Sequence, residues 1–405
     1  MKRTAKTVKT VAFALALAML MATLALTLSG CGAKTVMTFE ADNGKTYTAD
    51  TNFFKFMMTY SKQTFYTQNV LNSSVESTIW DQKTDEGITY DKVYTDRAIT
   101  QVKSVLIEQY LFDKYELTIS DETIASIKKN VDSAVKSQRG KGYYKQYFGY
   151  TSNQLYDYLI MAEKSKAVVE YLYGDKGIDP VTAEELDKYY KDNYVGYLFI
   201  MLDMNNKVKT DENGNRVVKT TTDKDGKVTE QKAYETEKLT QEEKEKKATL
   251  AAEIQQDIKN GVDFEELVQK HSDNYYSVTL KRGVFIPKNN DLVTNASNVN
   301  EAVKKLEIGE CTDALSTGDT NDYTYFVKRI ELVDKVYEDE EYEDWFSDYN
   351  DNVKYDKYDG VIEGYDASVK VDTAAISGFT MKNTFLAKDY VNSYYNLVRY
   401  YGYSS

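Results

Sequence analysis

The spacing of apolar residues changes near residue 194, and this change limits the folds open to the chain. Through most of 53–190, apolar side chains recur every three or four residues, as in amphipathic helices. A continuous apolar run of strand length follows at 197–202, and strand-like and helical segments then alternate up to about residue 332. Helical spacing returns after that point. The pattern predicts an α+β fold in which N-terminal and C-terminal helical segments flank an inserted α+β domain.

The first 30 residues have the layout of a secretory signal peptide. Basic residues precede an apolar run at 11–28, and Leu-Ser-Gly then leads into Cys31. This order resembles the bacterial lipobox, in which diacylglycerol is attached to the cysteine and cleavage leaves that cysteine at the new N-terminus. We therefore expect a lipoprotein signal peptide at 1–30, lipidation of Cys31, and a lipid-anchored protein on the extracytoplasmic face of the bacterial cell membrane. A plain transmembrane anchor is the alternative.

The net charge argues against binding to nucleic acid or anionic lipids, and the cysteine content argues against an intrachain disulfide. The net charge is −13 at pH 7, and loss of a basic signal peptide makes the mature chain more negative still. So acidic a protein is not expected to bind nucleic acid or anionic lipid head groups. Cys311 is the only cysteine besides Cys31. We therefore expect no intrachain disulfide, and the fold must be stabilised by packing alone.

Several motifs in the inserted region resemble the parvulin family of peptidyl-prolyl isomerases. Residues 261–267 read Gly-Val-Asp-Phe-Glu-Glu-Leu and 271–273 read His-Ser-Asp, similar to the parvulin pattern G-x-D-F-x-x-L followed by S-x-D. The turn at 306–310 is similar to the parvulin L-x-x-G-E turn, and 325–328 to the last parvulin strand. A module of this kind, between helical segments and behind a lipobox, looks like the PrsA family of extracytoplasmic foldase lipoproteins, which are related to the SurA chaperones.

The resemblance implies how the chain is divided. Residues 31–190 would form a helical chaperone domain that 335–405 complete, and 191–334 a parvulin-like domain with a hairpin insertion near 205–235. The resemblance further implies a foldase that binds unfolded or newly secreted polypeptides, here called clients. The sequence leaves open which clients bind, what the insertion does, and whether the protein forms a homodimer.

Four residues occupy the positions that form the catalytic pocket in parvulins, and they depart from the family pattern. Parvulins usually carry a histidine in the first strand and another in the last, where this sequence has Tyr197 and Tyr325. Asn274 stands where the family often has an acid or a thiol, and Phe285 remains from its G-G-x-L-G-x-F loop. The resemblance implies that these four side chains line one pocket.

The chemistry of X-Pro isomerisation does not by itself require histidines. An isomerase favours a twisted amide and forms no covalent bond to it. A tyrosine hydroxyl can still donate a hydrogen bond to its partner, and Phe285 could seat a proline ring. Because several pocket positions differ together, we expect peptide binding to persist while isomerase activity is weak or lost.

Tyrosine is unusually frequent, with 36 residues against 15 phenylalanines. Tyrosines can fill half-buried helix faces, where the ring packs and the hydroxyl stays in water. Alternatively, clusters such as Tyr143, Tyr144 and Tyr147 line a groove for clients, since tyrosine offers a large contact area at a low entropy cost. We name these three residues as candidate client-binding residues.

Other functions remain open at this point. One alternative is a solute-binding lipoprotein of a transporter. Such a protein needs two α/β lobes, and the helical run at 53–190 argues against that architecture. Another alternative is a structural surface protein.

His271 is the only histidine, so a zinc site or a Cys-His nucleophile pair has few groups to draw on. The acidic run at 338–351 lacks the spacing of an EF-hand loop. We expect no metal and no cofactor.

Overall fold

The computed structural model describes residues 33–69, 71–84, 86–137, 140, 142–222, 228–294, 296–317 and 322–401. The predicted signal peptide at 1–30 and the predicted lipidation site Cys31 lie outside these residues. The chain divides into two compact units. Unit 1 is Met1–Pro180 with Lys354–Ser405, and unit 2 is Val181–Val353. Among the described residues, no helix is long and apolar enough to span a bilayer.

Unit 1 is mostly helical and is built from both ends of the chain. The division from unit 2 falls within its helix α12. Its strands are β1 (Thr35–Glu40), β2 (Thr46–Asp50) and β11 (Val369–Val371). Its helices are α1 (Thr51–Gln68), α2 (Glu76–Ile79), α3 (Tyr90–Lys114), α4 (Asp121–Ser137), α5 (Tyr143–Phe148), α6 (Ser152–Tyr173), α12 (Tyr349–Asp366), α13 (Thr373–Ile376) and α14 (Lys388–Tyr401).

A small antiparallel sheet joins the two ends of the chain in unit 1. Its strand order is β11-β1-β2, so the first strand is paired on one side with the last. Met37 lies opposite Val371, and the backbone N–H of Asp372 donates to the carbonyl of Val36 at 2.8 Å. Because these hydrogen bonds link residues more than 300 positions apart, the sheet ties the C-terminal segment to the N-terminal one.

Unit 2 is a mixed α+β body. Its strands are β3 (Tyr194–Asp203), β4 (Asn206–Val208), β5 (Val218–Thr222), β6 (Val228–Tyr234), β7 (Thr236–Lys238), β8 (Val284–Pro287), β9 (Leu315–Ser316) and β10 (Tyr323–Ile330). Its helices are α7 (Ala183–Asn193), α8 (Gln241–Lys259), α9 (Phe264–His271), α10 (Tyr275–Thr279) and α11 (Ser297–Val303). The predicted α+β fold class is confirmed.

The main sheet of unit 2 has the order β8-β3-β10-β9, and each neighbouring pair is antiparallel. Side chains alternate between the two faces of a strand, so β3 contributes to two cores. Ile200 and Leu202 pack with Phe326 and with residues of α8 and α9 on one face. The other face packs against α11.

The limits of unit 2 differ from the predicted bounds of the inserted domain, since residues 181–190 and 335–353 belong to it. Tyr190 in α7 and Tyr342 after β10 are both fully buried. Tyr190 lies 6.0 Å from Phe346 between ring centroids, and Tyr342 donates to the carbonyl of Gly283 at 2.8 Å. These aromatic residues complete the core at the start of β3.

Candidate functional site

Two of the predicted pocket residues share one face of the main sheet in unit 2. Tyr325 in β10 lies opposite Met201 in β3, and Tyr197 lies on the same face of β3 because it is separated from Met201 by an even number of residues. The ring of Phe199 lies between them, 6.3 Å from the ring of Tyr325. The structure therefore brings Tyr197 and Tyr325 to one face, but not side by side.

The two tyrosines do not form a hydrogen bond with each other. They are four positions apart in the strand register, about 13 Å along the strand. The hydroxyl of Tyr197 donates instead to the carbonyl of Val303 at 3.5 Å. Tyr197 is 2% exposed and Tyr325 is 5% exposed, and burial raises the pKa of both hydroxyls. Both side chains are therefore part of the hydrophobic core.

Asn274 lies next to this face and is held beside the part of β3 that extends beyond its pairing with β8. The backbone N–H of Asp273 donates to the carbonyl of Met201 at 2.8 Å, and the N–H of Met201 donates to Oγ of Ser272 at 3.1 Å. The side chain of Asn274 caps α10, since its Oδ1 accepts from the N–H of Ser277 at 3.0 Å. Asn274 thus has a local structural role, with its amide nitrogen 4.0 Å from Sδ of Met201.

The predicted hairpin insertion packs close to Asn274 within unit 2. Its strands form two antiparallel pairs, β4 with β7 and β5 with β6. Tyr234 at the end of β6 lies 5.4 Å from Tyr275 at the start of α10. Arg216 donates to the carbonyl of Gln269 in α9 at 2.8 Å. The insertion therefore rests on the two helices that flank Asn274.

Phe285 belongs to the same buried cluster as Tyr197 and Tyr325, but its side chain lies on a different face of the main sheet from theirs. It lies opposite Gly196 in β3, and alternation of side chains puts it on the other face of the sheet from Tyr197. A Cβ atom added to Gly196 would come within 2.9 Å of the Phe285 ring, so the glycine makes room for it. Phe285 is fully buried and cannot seat a proline ring beside Tyr197 and Tyr325.

Unit 1 contains a cavity with aromatic walls. Its volume is about 600 Å³, within the range of ligand pockets in proteins. Three parts of unit 1 form it: helix α1, the segment from the end of α5 into α6, and the segment between α13 and α14. Its apolar lining consists of Phe53, Phe56, Met58, Phe148, Tyr150, Phe379 and Phe385. We call it the aromatic cavity.

Phe385 marks the solvent side of the aromatic cavity. Its side chain is 53% exposed, and its backbone carbonyl accepts a hydrogen bond from Oγ1 of Thr59 in α1 at 3.3 Å. A Cβ atom added at Gly149, where φ is +74°, would come within 3.1 Å of this ring. Its exposed ring extends the apolar surface that a ligand in the cavity could bury. The sequence spacing places Phe385 in one helical stripe with Tyr390 and Tyr394, whereas helix α14 begins only at Lys388. That spacing gives no sign of a cavity.

The candidate client-binding tyrosines lie in α5, beside the aromatic cavity but not in its lining. Tyr144 is largely buried against Tyr150, with ring centroids 6.0 Å apart. Tyr143 and Tyr147 are partly exposed and lie 4.8 Å apart. The carbonyl of Tyr147 accepts a hydrogen bond from the N–H of Ala387 at 2.8 Å. Helix α5 therefore supports the segment that carries the exposed cavity rim.

The described residues contain no group of three or more His, Cys, Asp or Glu side chains arranged to hold a metal ion. His271 lies at the end of α9, where burial and the neighbouring Lys270 lower the pKa of its imidazole. Cys311 is a partly buried free cysteine, and burial raises the pKa of its thiol. Neither residue has the environment of an activated nucleophile or base.

Comparisons with known proteins give matches to solved structures. No family model matches the sequence, and no curated protein matches it. The chain is similar to PrsA from Bacillus subtilis at 18% identity, over 77% of this chain and 90% of that chain, with a TM-score of 0.22. It is similar to the foldase protein PrsA from Streptococcus pneumoniae at 16% identity, over 74% of this chain and 98% of that chain, with a TM-score of 0.28. It is similar to the foldase protein PrsA from Lactococcus lactis at 14% identity, over 85% of this chain and 96% of that chain, with a TM-score of 0.24.

Proposed function

We propose that the protein is a membrane-anchored extracytoplasmic foldase that binds unfolded secreted polypeptides through unit 1. The lipobox-like sequence before Cys31 supports a diacylglycerol anchor. The parvulin-like motifs support a relation to foldases. The observation that carries the proposal is the aromatic cavity with exposed Phe385 at its rim, because unfolded chains expose apolar side chains that such a surface can bury.

Two features of unit 1 suit the binding of many different clients. The rings around the cavity and in α5 provide a large contact area without a fixed pattern of hydrogen bonds. The C-terminal segment that carries Phe379 and Phe385 is held on the N-terminal helix α1 by long-range hydrogen bonds, including those from Lys62 to the carbonyls of Met381 and Thr384. Both ends of the chain are therefore needed for the proposed client site.

Substituting the partly exposed tyrosines beside the cavity should weaken chaperone activity. We expect the double variant Tyr143→Ser, Tyr147→Ser to raise the concentration needed to suppress aggregation of reduced lysozyme roughly fivefold, because aromatic side chains carry much of the energy of loose interfaces. Light scattering measures the suppression. Tyr144 is left intact because it is largely buried.

The matched control is Tyr355→Ser, since Tyr355 is an exposed tyrosine of the same unit. This variant should suppress aggregation as the unmodified protein does. If the double variant keeps its thermal unfolding midpoint and still suppresses aggregation normally, the proposed role of Tyr143 and Tyr147 is wrong.

We also propose that unit 2 has weak isomerase activity or none. The hydroxyl of Tyr197 is engaged by the carbonyl of Val303 in the core, and Tyr325 is buried, so neither side chain is free to act on a bound amide. A protease-coupled assay on a short X-Pro peptide is expected to give a rate less than about a tenth that of ordinary parvulins, or about 1.4 kcal/mol less transition-state stabilisation.

The variant Tyr197→Phe tests whether this hydroxyl has a catalytic role. It removes only the hydroxyl, and any residual isomerase rate should stay unchanged. A rate within tenfold of ordinary parvulins, lost in Tyr197→Phe, would contradict the proposal of weak activity and restore a catalytic role to the tyrosine.

A further inference from the structure

The aromatic cavity contains a carboxylate without a partner. Asp157 in α6 lines the cavity and is partly buried. Among the residues that the structure describes, none forms a hydrogen bond or an ion pair with it. Burial raises the pKa of its carboxyl group, and no neighbouring charge or donor offsets that effect. A desolvated carboxylate of this kind is stabilised by any cation that can reach it.

The only basic side chain that lines the cavity within the described chain does not supply that cation. Lys55 in α1 also lines the cavity, but its ammonium lies over the ring of Phe379, 5.7 Å from the centroid. It makes no ion pair with Asp157 within 4.0 Å. The carboxylate therefore remains available to a ligand from outside.

The walls beside Asp157 suit a long side chain with a positive end. Phe56, Phe148 and Tyr150 line the same cavity, and Phe148 and Tyr150 stack with centroids 5.3 Å apart. Aromatic faces attract ammonium and guanidinium groups, and they also pack against the methylene stems of lysine and arginine. A neutral apolar side chain would fill the volume but would desolvate the carboxylate further without pairing it.

We propose that the aromatic cavity is a subsite for a lysine or arginine side chain of an unfolded polypeptide, with Asp157 as its counter-ion and the surrounding rings as its walls. The inference rests on the proposed function and deepens it, since it assigns a side-chain preference to the client site. The net charge of −13 also favours basic clients, because an acidic protein attracts basic segments.

Matched peptides test the subsite directly. The probes are two unstructured peptides with a neutral fluorophore, identical except that one carries Phe-Lys where the other carries Phe-Gln. Fluorescence anisotropy measures their binding to the mature protein at about 0.15 M salt, where long-range attraction is screened. We expect the lysine peptide to bind roughly tenfold more tightly than the glutamine peptide.

The variant Asp157→Asn should reduce this preference to less than about twofold, chiefly by weakening the binding of the lysine peptide. Asp132→Asn is the control, because Asp132 is an exposed carboxylate on α4 away from the cavity lining and its loss changes the net charge by the same amount. This control should keep the full preference for lysine.

The outcomes separate this inference from the proposed function. If the unmodified protein binds both peptides equally, or if Asp157→Asn keeps the preference for lysine, the basic subsite is wrong while client binding stands. If the unmodified protein binds neither peptide and does not suppress aggregation, the proposed function itself fails.

Discussion

Replacing Lys62 by methionine is expected to lower the free energy of unfolding of unit 1 by about 3 kcal/mol. The Lys62 side chain is fully buried, and its ammonium donates to Oε1 of Glu76 at 2.6 Å and to the carbonyls of Met381 and Thr384 at 2.9 and 2.8 Å. Methionine fills a similar volume but donates no hydrogen bond. The substitution would leave the two main-chain carbonyls without this donor, and unsatisfied acceptors in a buried site are costly. The Glu76 side chain is 24% exposed and would lose its ion pair.

The two tryptophans make this measurement specific, because Trp80 lies in unit 1 and Trp345 in unit 2. In a Trp345→Phe background, urea unfolding followed by fluorescence reports on Trp80, which lies beside Lys62. The control Lys92→Met removes an exposed ion pair with Asp96 and should cost less than about 0.5 kcal/mol. A loss below about 1 kcal/mol for Lys62→Met would mean that other donors replace the ammonium.

The same substitution should also affect client binding. Lys62 holds the carbonyls of Met381 and Thr384, and Phe385 follows directly on the rim of the aromatic cavity. Without the ammonium, that segment loses its buried attachment to α1. Aggregation suppression should therefore fall together with stability in Lys62→Met, whereas Tyr143→Ser, Tyr147→Ser should reduce suppression alone.

Replacing Phe285 by alanine is expected to lower the free energy of unfolding of unit 2 by about 3 to 4 kcal/mol, because a fully buried aromatic side chain leaves a cavity when it is truncated. Its ring lies 5.8 Å from Tyr342 and 6.2 Å from Tyr190, and neither of these residues can move into the space without leaving its own contacts. Urea unfolding in a Trp80→Phe background, followed through Trp345, measures the change.

The conservative control is Phe285→Leu, which keeps most of the volume and should cost about 1.5 kcal/mol or less. A peptide-binding role would give a different result. If Phe285 lined an open pocket for proline, Phe285→Ala would change stability little and would weaken binding of an X-Pro peptide. That outcome would contradict the placement of Phe285 in the core.

Local features of the fold could be predicted from the sequence because short-range chemistry determines them. The spacing of Thr182 and Glu185 indicates a capping box, and both hydrogen bonds of that box are present at the start of α7. The apolar run at 197–202 lies within β3, and the Asp-Asn-Gly turn that follows Ala41 joins β1 to β2. Capping, strand length and turn residues act within a few positions of the chain.

The candidate site could be predicted only in part, because it depends on contacts between distant residues. The sequence placed Phe285 with Tyr197, but the pairing of β8 with β3 puts Phe285 opposite Gly196 and so on the other face. A shift of one residue in register reverses the face of every side chain. Such a choice is made by tertiary packing and is not visible in the local pattern.

The aromatic cavity could not be predicted from local patterns either, because its walls come from distant parts of the chain. Thr59 and Phe385 are joined by a hydrogen bond across 326 positions, and no spacing rule links them. Sequence reasoning did not single out Asp157 in α6. Its lack of a partner becomes apparent only when α1 and the C-terminal segment are in place beside it.

The pairing of β11 with β1 also bears on the order in which the molecule can be assembled. A chain that emerges from a secretion channel with its N-terminus first delivers all of unit 2 before residues 369–371 arrive to complete the sheet of unit 1. Until then β1 has an unpaired edge, which is a site for wrong pairing with other chains. We therefore expect unit 2 to mature first. Under the proposed export, unit 1 would remain incompletely folded until residues 369–371 had left the channel.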